Sequence, residues 1–186
     1  MIIAETCQNH NGNREILKEM INTAAECGAD YVKIQSIRSK ELTYRERFEK
    51  GFIDHNGVQL SIKRPYKTEL DRLSELDLSL EDEEWFVESC KAAGIKSMTT
   101  VFSRQAAYEV KDLGFDAVKI ASYDCASFPL LTDVKQWWST IIVSTGATYN
   151  NEVEEAAKIL KNTEFALLHC VTIYPTPINR CNLARL

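Results

Sequence analysis

Hydrophobic and polar positions alternate in the same way in two stretches of the chain, ADYVKIQS at residues 29–36 and FDAVKIAS at residues 115–122. Each follows a glycine that ends a helical pattern (Gly28, Gly114) and carries an acid at its entrance (Asp30, Asp116). Each then runs Val-Lys-Ile and finishes on a serine. Alternation with a period of two puts Val32 and Ile34, like Val118 and Ile120, on one face of a strand. Lys33 with Gln35, and Lys119 with Ala121, fall on the other. A lysine in an apolar strand must snorkel to water, pair with an anion or lose its charge. A single such lysine reads as a snorkelling stem, but two in one register predict a repeated strand–helix unit with an anion at its centre.

The remaining pattern supplies the rest of that architecture. Ile2–Thr6 is a short strand bearing Glu5, followed by the polar turn Gln8-Asn9-His10-Asn11-Gly12 and by Asn13, placed to cap a helix carrying Leu17, Met20, Ile21, Ala24 and Ala25. Ser79-Leu80-Glu81-Asp82 is a capping box opening a helix with Trp85, Phe86 and Cys90. A strand over Lys96–Phe102 leads to Ser103, which caps a helix carrying Ala106, Ala107, Val110 and Leu113. A helix from about Pro129 to Trp137, a strand over Thr140–Thr145, a helix with Val153, Ala156, Ala157 and Leu160, and a strand over Phe165–Cys170 complete the series. Between about residues 37 and 78 the periodicity is lost, and the stretch includes the basic-aromatic run Lys63-Arg64-Pro65-Tyr66-Lys67. A connection of that length reads as a lid or insertion with some helix of its own.

Six strands alternating with five helices predict an α/β fold, a parallel sheet with helices outside. No GxGxxG follows the first strand and no Walker loop occurs, which weighs against a nucleotide-binding doubly wound sheet. Polar residues gather where strands end: Glu5, Gln35, Thr100, Ser122, Ser144 and Thr172. A (β/α)8 TIM barrel keeps its active site there, although six βα units make only an incomplete barrel.

Composition narrows the chemistry. The 186 residues suit one domain, and a net charge of −5 excludes a general nucleic-acid or acidic-membrane surface, so an anion site has to be local. No apolar run reaches the roughly 18 residues of a membrane span, and no leader pattern opens the chain. The six cysteines form no CxxC pair and read as reduced thiols of a cytoplasmic protein. His10, His55 and His169 lack metal-ligand spacing, and His169, in an apolar strand, reads as a core histidine. Lys33 and Lys119 therefore clamp a phosphate or carboxylate, or one of them is a Schiff-base nucleophile. Hydroxyls of Thr100, Ser122, Ser144 and Thr145, with backbone N–H groups at 144–146, would complete a phosphate cradle.

The segments IIAETCQNHNG, VKIQS, TTVFSR, KIASYDCASFPLL, VSTGA and LLHCVTIYPTP, in this order and spacing, resemble the N-acetylneuraminate (sialic acid) synthase family over essentially the whole chain. The resemblance implies condensation of phosphoenolpyruvate with an N-acylated aldose, N-acetylmannosamine or a related sugar, to a nonulosonic acid with release of phosphate. It implies a (β/α)8 catalytic barrel, a divalent metal (Mn2+ or Mg2+), a C-terminal antifreeze-like domain and a homodimer. Carried over by position, Glu5, Lys33 and Asp124 are catalytic, with Glu5 near the sugar carbonyl. Lys33, Thr100, Lys119, Ser122, Ser144 and Thr172 bind phosphoenolpyruvate, the two lysines as opposite walls of its cradle, and Gln35 and Tyr174 contact the sugar. Asp124 shortens the carboxylate of the family's common KI-small-SGE motif, Tyr123 replaces its glycine, and Val101 replaces a common proline. Residues 1–186 then correspond to the N-terminal portion of the barrel domain. Strands seven and eight, which carry the metal-binding histidines, and the antifreeze-like domain lie outside it. The expectation for this chain alone is the phosphoenolpyruvate half of a site, with negligible turnover. The alternatives are a Schiff-base 2-oxo-acid aldolase and a non-catalytic, anion-binding remnant of the barrel.

Overall fold

The computed structural model describes residues 1–53, 55, 59–61, 63–173 and 175–186, with backbone alone at 47 and 59–61. Along the chain the elements are β1 (Ile3–Glu5), α1 (Arg14–Glu26), β2 (Tyr31–Ser36), a short α2 (Glu46–Lys50), the antiparallel ribbon of β3 (Phe52–Ile53) and β4 (Gln59–Ser61), and α3 (Tyr66–Ser74). Then follow α4 (Leu80–Ala93), β5 (Lys96–Val101), α5 (Arg104–Val110), β6 (Ala117–Ile120), α6 (Phe128–Trp137), β7 (Thr140–Ser144), α7 (Asn150–Ile159) and β8 (Glu164–Leu168).

The main sheet has six parallel strands in the order β1-β2-β5-β6-β7-β8, each beside its predecessor in the βα series. That is the order of a (β/α)8 barrel with six of its units, as the alternation predicts. The helices start where the sequence marks them. Asn13 Oδ1 accepts the N–H groups of Glu15 and Ile16 to open α1, and Ser79 and Asp82 form the reciprocal box that opens α4. Strand ends are shorter than the apolar runs suggested: β8 stops at Leu168, which leaves His169 outside the strand.

The two faces of the sheet carry different jobs. Val32, Ile34, Val118, Ile120, Ile141 and Val143 pack outward against helical residues such as Leu17, Ile21, Phe86, Val110, Leu131 and Leu160 in one continuous core. On the inner face Tyr31, Met98, Ala117 and Ile142 form a separate apolar floor, with Ile3, Ala166 and Leu168 against it. The polar residues of the inner face stand towards the C-terminal ends of the strands, beyond that floor.

The repeated acids turn out to be staples. Asp30 Oδ2 accepts the N–H of Ile2 at 2.6 Å, and Asp116 Oδ2 accepts the N–H of Ser97 at 2.8 Å. Each ties the entrance of its strand to the start of the preceding strand in the sheet, so the sequence repeat is a repeat of sheet construction.

The stretch from 37 to 78 contains α2, the ribbon and α3, and is moored by a buried arginine. Arg38, 8% exposed at its side chain, meets Glu83 of α4 through two hydrogen bonds of 3.0 and 2.9 Å, and its Nε donates to Glu109 of α5 at 3.0 Å. Ser103 Oγ also donates to Glu41 Oε2 at 2.6 Å. The insertion thus stands over the C-terminal ends of β2 and β5, where it can wall a site.

Candidate active site at the C-terminal ends of the strands

Register delivers the first cluster. Glu5 pairs across the sheet with Lys33, Gln35 with Thr100, and Thr100 with Lys119. Lys33 is 2% exposed, forms an ion pair with Glu5, and donates to Thr100 Oγ1 at 2.8 Å. Glu5 Oε1 also accepts the N–H of Cys7 at 2.9 Å, which fixes the carboxylate over the strand end.

Lys119 has a different situation. Among the described residues no carboxylate pairs with it, and burial followed by the charge of Lys33 pushes its amine below the usual lysine range, with Glu5 opposing. The two lysines are not opposite walls, as the sequence suggested. They flank β5 with Thr100 between them, because β2 and β6 are the two neighbours of that strand. Two lysines therefore stand near one carboxylate, which pairs with Lys33, above an apolar floor, a local excess of positive charge in a protein whose overall charge is −5.

Ser122 and Thr172 converge on the loop after β7. The N–H of Gly146 donates to Ser122 Oγ at 3.0 Å, and Thr148 Oγ1 donates to the carbonyl of Gly146 at 3.1 Å. A Cβ on Gly146 would lie 2.9 Å from Thr172 Cγ2, 3.0 Å from Ser122 Oγ and 3.1 Å from Cys170 Cβ. Only hydrogen fits there, and this close approach was not legible in Ser-Thr-Gly as a motif. Ser144 is buried on the inner face of β7, at 3% exposure. Thr145 Oγ1 donates to the carbonyl of Leu168 at 3.0 Å and ties β7 to β8, a local role in place of the phosphate ligand expected of it.

Gln35 and Asp124 line a second space, a cleft of about 700 Å³ between the strand ends and the insertion. Asp124 closes the turn Ser122–Asp124, and burial pushes its carboxyl up to about 6, with Arg45 nearby opposing the rise. Arg45, which the sequence gave no reason to single out, lies 4.9 Å over the Tyr123 ring and donates to the Tyr123 hydroxyl. Arg64 and Tyr66, from the basic-aromatic run, line the same cleft, as do Arg38 and Arg72. Tyr174 lies outside the described residues.

The histidines do other work. His10, 2% exposed, accepts the N–H of Gly12 at Nδ1 over 3.0 Å, and burial lowers its pKa. His169 is half-buried, with Nε2 2.8 Å from the carbonyl of Cys181, so it is partnered but is not a core residue. Among the described residues no group of three or more His, Cys, Asp or Glu is disposed to hold a metal ion. Among the described residues the divalent ion implied by the resemblance therefore has no such ligand set. All six cysteines are free, and among the described residues no helix is long and apolar enough to cross a membrane.

The family's model matches residues 20–186, most of the chain. The chain belongs to the NeuB family. It is 31% identical to the N,N'-diacetyllegionaminic acid synthase of Campylobacter jejuni over 98% of its own length and 54% of that protein's. It is 26% identical to the N-acetylneuraminate-9-phosphate synthase of Mus musculus, covering 98% of this chain and 49% of the other. The crystal structure of the N-acetylneuraminic acid synthetase of Leptospira borgpetersenii, solved with citrate, superposes with a TM-score of 0.80 at 27% identity. That match covers 99% of this chain and 58% of that one. This NeuB-family chain spans about half the length of the curated relatives it matches. The resemblance read from six short segments holds at the level of the family, and the half-barrel holds at the level of the fold.

Proposed function

We propose that this chain forms the phosphoenolpyruvate-binding half of a nonulosonic acid synthase, a cytoplasmic enzyme joining phosphoenolpyruvate to an N-acylated aldose. The observation that carries the reading is the cluster of Lys33, Lys119 and Glu5 around Thr100, one buried and one half-buried lysine with one carboxylate between them. An anionic ligand supplies the missing negative charge. Lys119 takes one anionic group of phosphoenolpyruvate, Lys33 and Thr100 another, and the hydroxyls of Ser122, Ser144 and Thr172 the remaining oxygens. Held in this way, the enol presents C3 to the aldehyde carbon of the sugar, and orientation lowers the barrel's share of the barrier. A bond forms between those carbons, the aldehyde oxygen takes a proton, water adds at C2, and the C2–O bond to phosphate breaks. Glu5 lies where the aldehyde arrives, Asp124 is poised to exchange a proton near neutral pH, and Gln35 and Tyr174 contact the acyl-sugar.

The names of the relatives, synthases of acylated nonulosonic acids, support an N-acylated sugar as the acceptor. In the intact enzyme residues 1–186 are the N-terminal part of the barrel domain. Two further strands with the divalent-metal ligands, an antifreeze-like domain and a second protomer complete the catalyst. A divalent metal held by those further ligands would polarise the sugar carbonyl. The chain alone turns over negligibly.

Titrating the chain with phosphoenolpyruvate tests the reading. Saturation at about 100 times Kd adds about 2.7 kcal/mol to its stability, read as a rise in Tm, and Lys119→Met abolishes the rise. A shift no larger than that given by inorganic phosphate overturns it. The depressed amine of Lys119 also suits a Schiff base with a 2-oxo acid, so borohydride trapping with pyruvate serves as the second arm. A reduced adduct on Lys119 favours the aldolase reading over the synthase.

A further inference from the structure

The first residues of the insertion cross the strand ends as a strap. Arg38 is held by Glu83 and Glu109 of α4 and α5, Glu41 accepts the hydroxyl of Ser103 just beyond β5, and Arg45 reaches the turn Ser122–Asp124 just beyond β6. These moorings differ in strength. Arg38 is buried and paired with two carboxylates, whereas Arg45 grips an exposed side chain. Its guanidinium lies 4.9 Å over the Tyr123 ring and donates to the Tyr123 hydroxyl. Tyr123 is 71% exposed, so packing against the core does not fix that ring.

Ser122, Tyr123 and Asp124 form a tight 3-10 turn. The N–H of Asp124 donates to the carbonyl of Ala121 at 2.9 Å, and that of Cys125 donates to the carbonyl of Ser122 at 3.3 Å. With three residues to the turn, neighbouring side chains splay by about 120° and swing together if the turn rolls. On the β7 side the roll is checked at Ser122, whose Oγ accepts the N–H of Gly146 at 3.0 Å. On the insertion side Arg45 checks it at Tyr123. The same guanidinium stands near enough to Asp124 to oppose the rise in its pKa. Grips on the two sides of the turn thus set where Ser122 and Asp124 point.

We propose that Arg45 is a positioning residue, which through Tyr123 holds the Ser122–Asp124 turn so that the Ser122 hydroxyl faces the bound anion and the Asp124 carboxyl faces the cleft. The inference rests on the synthase reading for what Ser122 and Asp124 do. It rests on the contacts alone for the hold on the turn. A guanidinium stacked on an exposed ring shifts an equilibrium by roughly two- to fivefold. A ligand of the turn loses affinity by the same factor as the competent state is depleted. The stack therefore sets the size of the effect.

Hydrogen exchange at the Asp124 and Cys125 amides without ligand, and calorimetric titration with phosphoenolpyruvate, test this on the whole chain. Arg45→Gln is expected to speed exchange at both amides by roughly two- to fivefold. The Glu83 amide, bonded to Ser79 at the start of α4, serves as the control and keeps its rate. Phosphoenolpyruvate binding weakens by a similar factor. Tyr123→Ala does the same, and the double variant does no more than either single one. Tyr123→Phe keeps the ring under the guanidinium and stays within about twofold of the parent. Unchanged exchange in Arg45→Gln overturns the proposal, even with weaker binding, since Arg45 would then touch the ligand itself. Faster exchange with undiminished affinity overturns it too, because the hold would be structural alone, and so do losses that add in the double variant. A parent that does not bind phosphoenolpyruvate sinks the synthase reading, and exchange then decides the hold of Arg45 on the turn.

Discussion

Replacing Asp124 with asparagine is expected to make the protein more stable at alkaline pH, which runs against the usual outcome of altering an active-site residue. Burial carries this carboxyl from its ordinary 3.8 to about 6. The folded state thus holds the proton more tightly than the unfolded one. By linkage, stability falls as pH rises from about 4 to about 6, and the full cost is present above that. At about 1.4 kcal/mol for each tenfold change in proton affinity, the rise bounds the cost at about 3 kcal/mol. Asp124 opens onto the cleft and faces Arg45, so solvent screening brings the expected figure to about 1–2 kcal/mol. Asparagine keeps the shape and carries no charge at any of these pH values. Urea denaturation at a series of pH values from 3 to 8 should therefore show Asp124→Asn more stable than the parent by about 1–2 kcal/mol at pH 8. That is a midpoint shift of roughly 0.5–1.5 M at ordinary m-values. The two proteins should coincide near pH 3. A variant that is no more stable at pH 8, or that differs by the same amount at every pH, would refute the reasoning. A costly carboxylate kept at the mouth of the cleft is the pattern of a residue held for chemistry over stability.

Two further substitutions test the frame around the site. Arg38→Ala removes the partner of Glu83, which is fully buried and whose pKa burial already raises. The expected loss is about 3–5 kcal/mol by urea denaturation. It should be larger at pH 8 than at pH 5, because Glu83 takes up a proton more readily once the guanidinium is gone, and lysine at position 38 should not restore it. Gly146→Ala places a methyl group within 3.1 Å of Thr172, Ser122 and Cys170 together, so the loop has to move. It should lower stability by about 1–3 kcal/mol and weaken phosphoenolpyruvate binding in the same titration, by displacing the Ser122 hydroxyl. Unchanged affinity would show that Ser122 is not a ligand.

The parts legible in the sequence are those in which one local cause decides the outcome. Asn13 and Ser79 mark helix starts because their side chains satisfy nearby N–H groups. The repeat VKIQS/VKIAS marks two strands with lysines on the inner face because alternation is a property of the strand itself. What the local pattern does not carry is register between strands. Glu5 falls opposite Lys33, and Thr100 falls between the lysines, through pairings between residues far apart in the chain. A reading of single strands could count one carboxylate against two lysines but could not say which lysine it served. The insertion was opaque for another reason. Its elements are short and polar, without a buried face long enough to impose a period. Its anchor, Arg38, is a charged residue that buries because two carboxylates on helices α4 and α5 wait for it. Nothing within a few residues of Arg38 announces them.

The asymmetry between the two lysines gives the site its direction. Lys33 is neutralised, hydrogen-bonded and buried, so it is a fixed part of the wall whether or not a ligand is present. Lys119 stands above apolar Met98, Ala117 and Ile142 with no carboxylate paired to it among the described residues, and burial together with the charge of Lys33 lowers its pKa. An incoming anion recovers that cost at Lys119 and has little to gain at Lys33, where Glu5 already sits. Ligand binding should therefore be led from the β6 side, towards Ser122 and Gly146, while the Glu5 side stays open for the second reactant. Under the proposed synthase reading, the register of β1 against β2, which sets Glu5 beside Lys33, is what would separate an anion end from a carbonyl end.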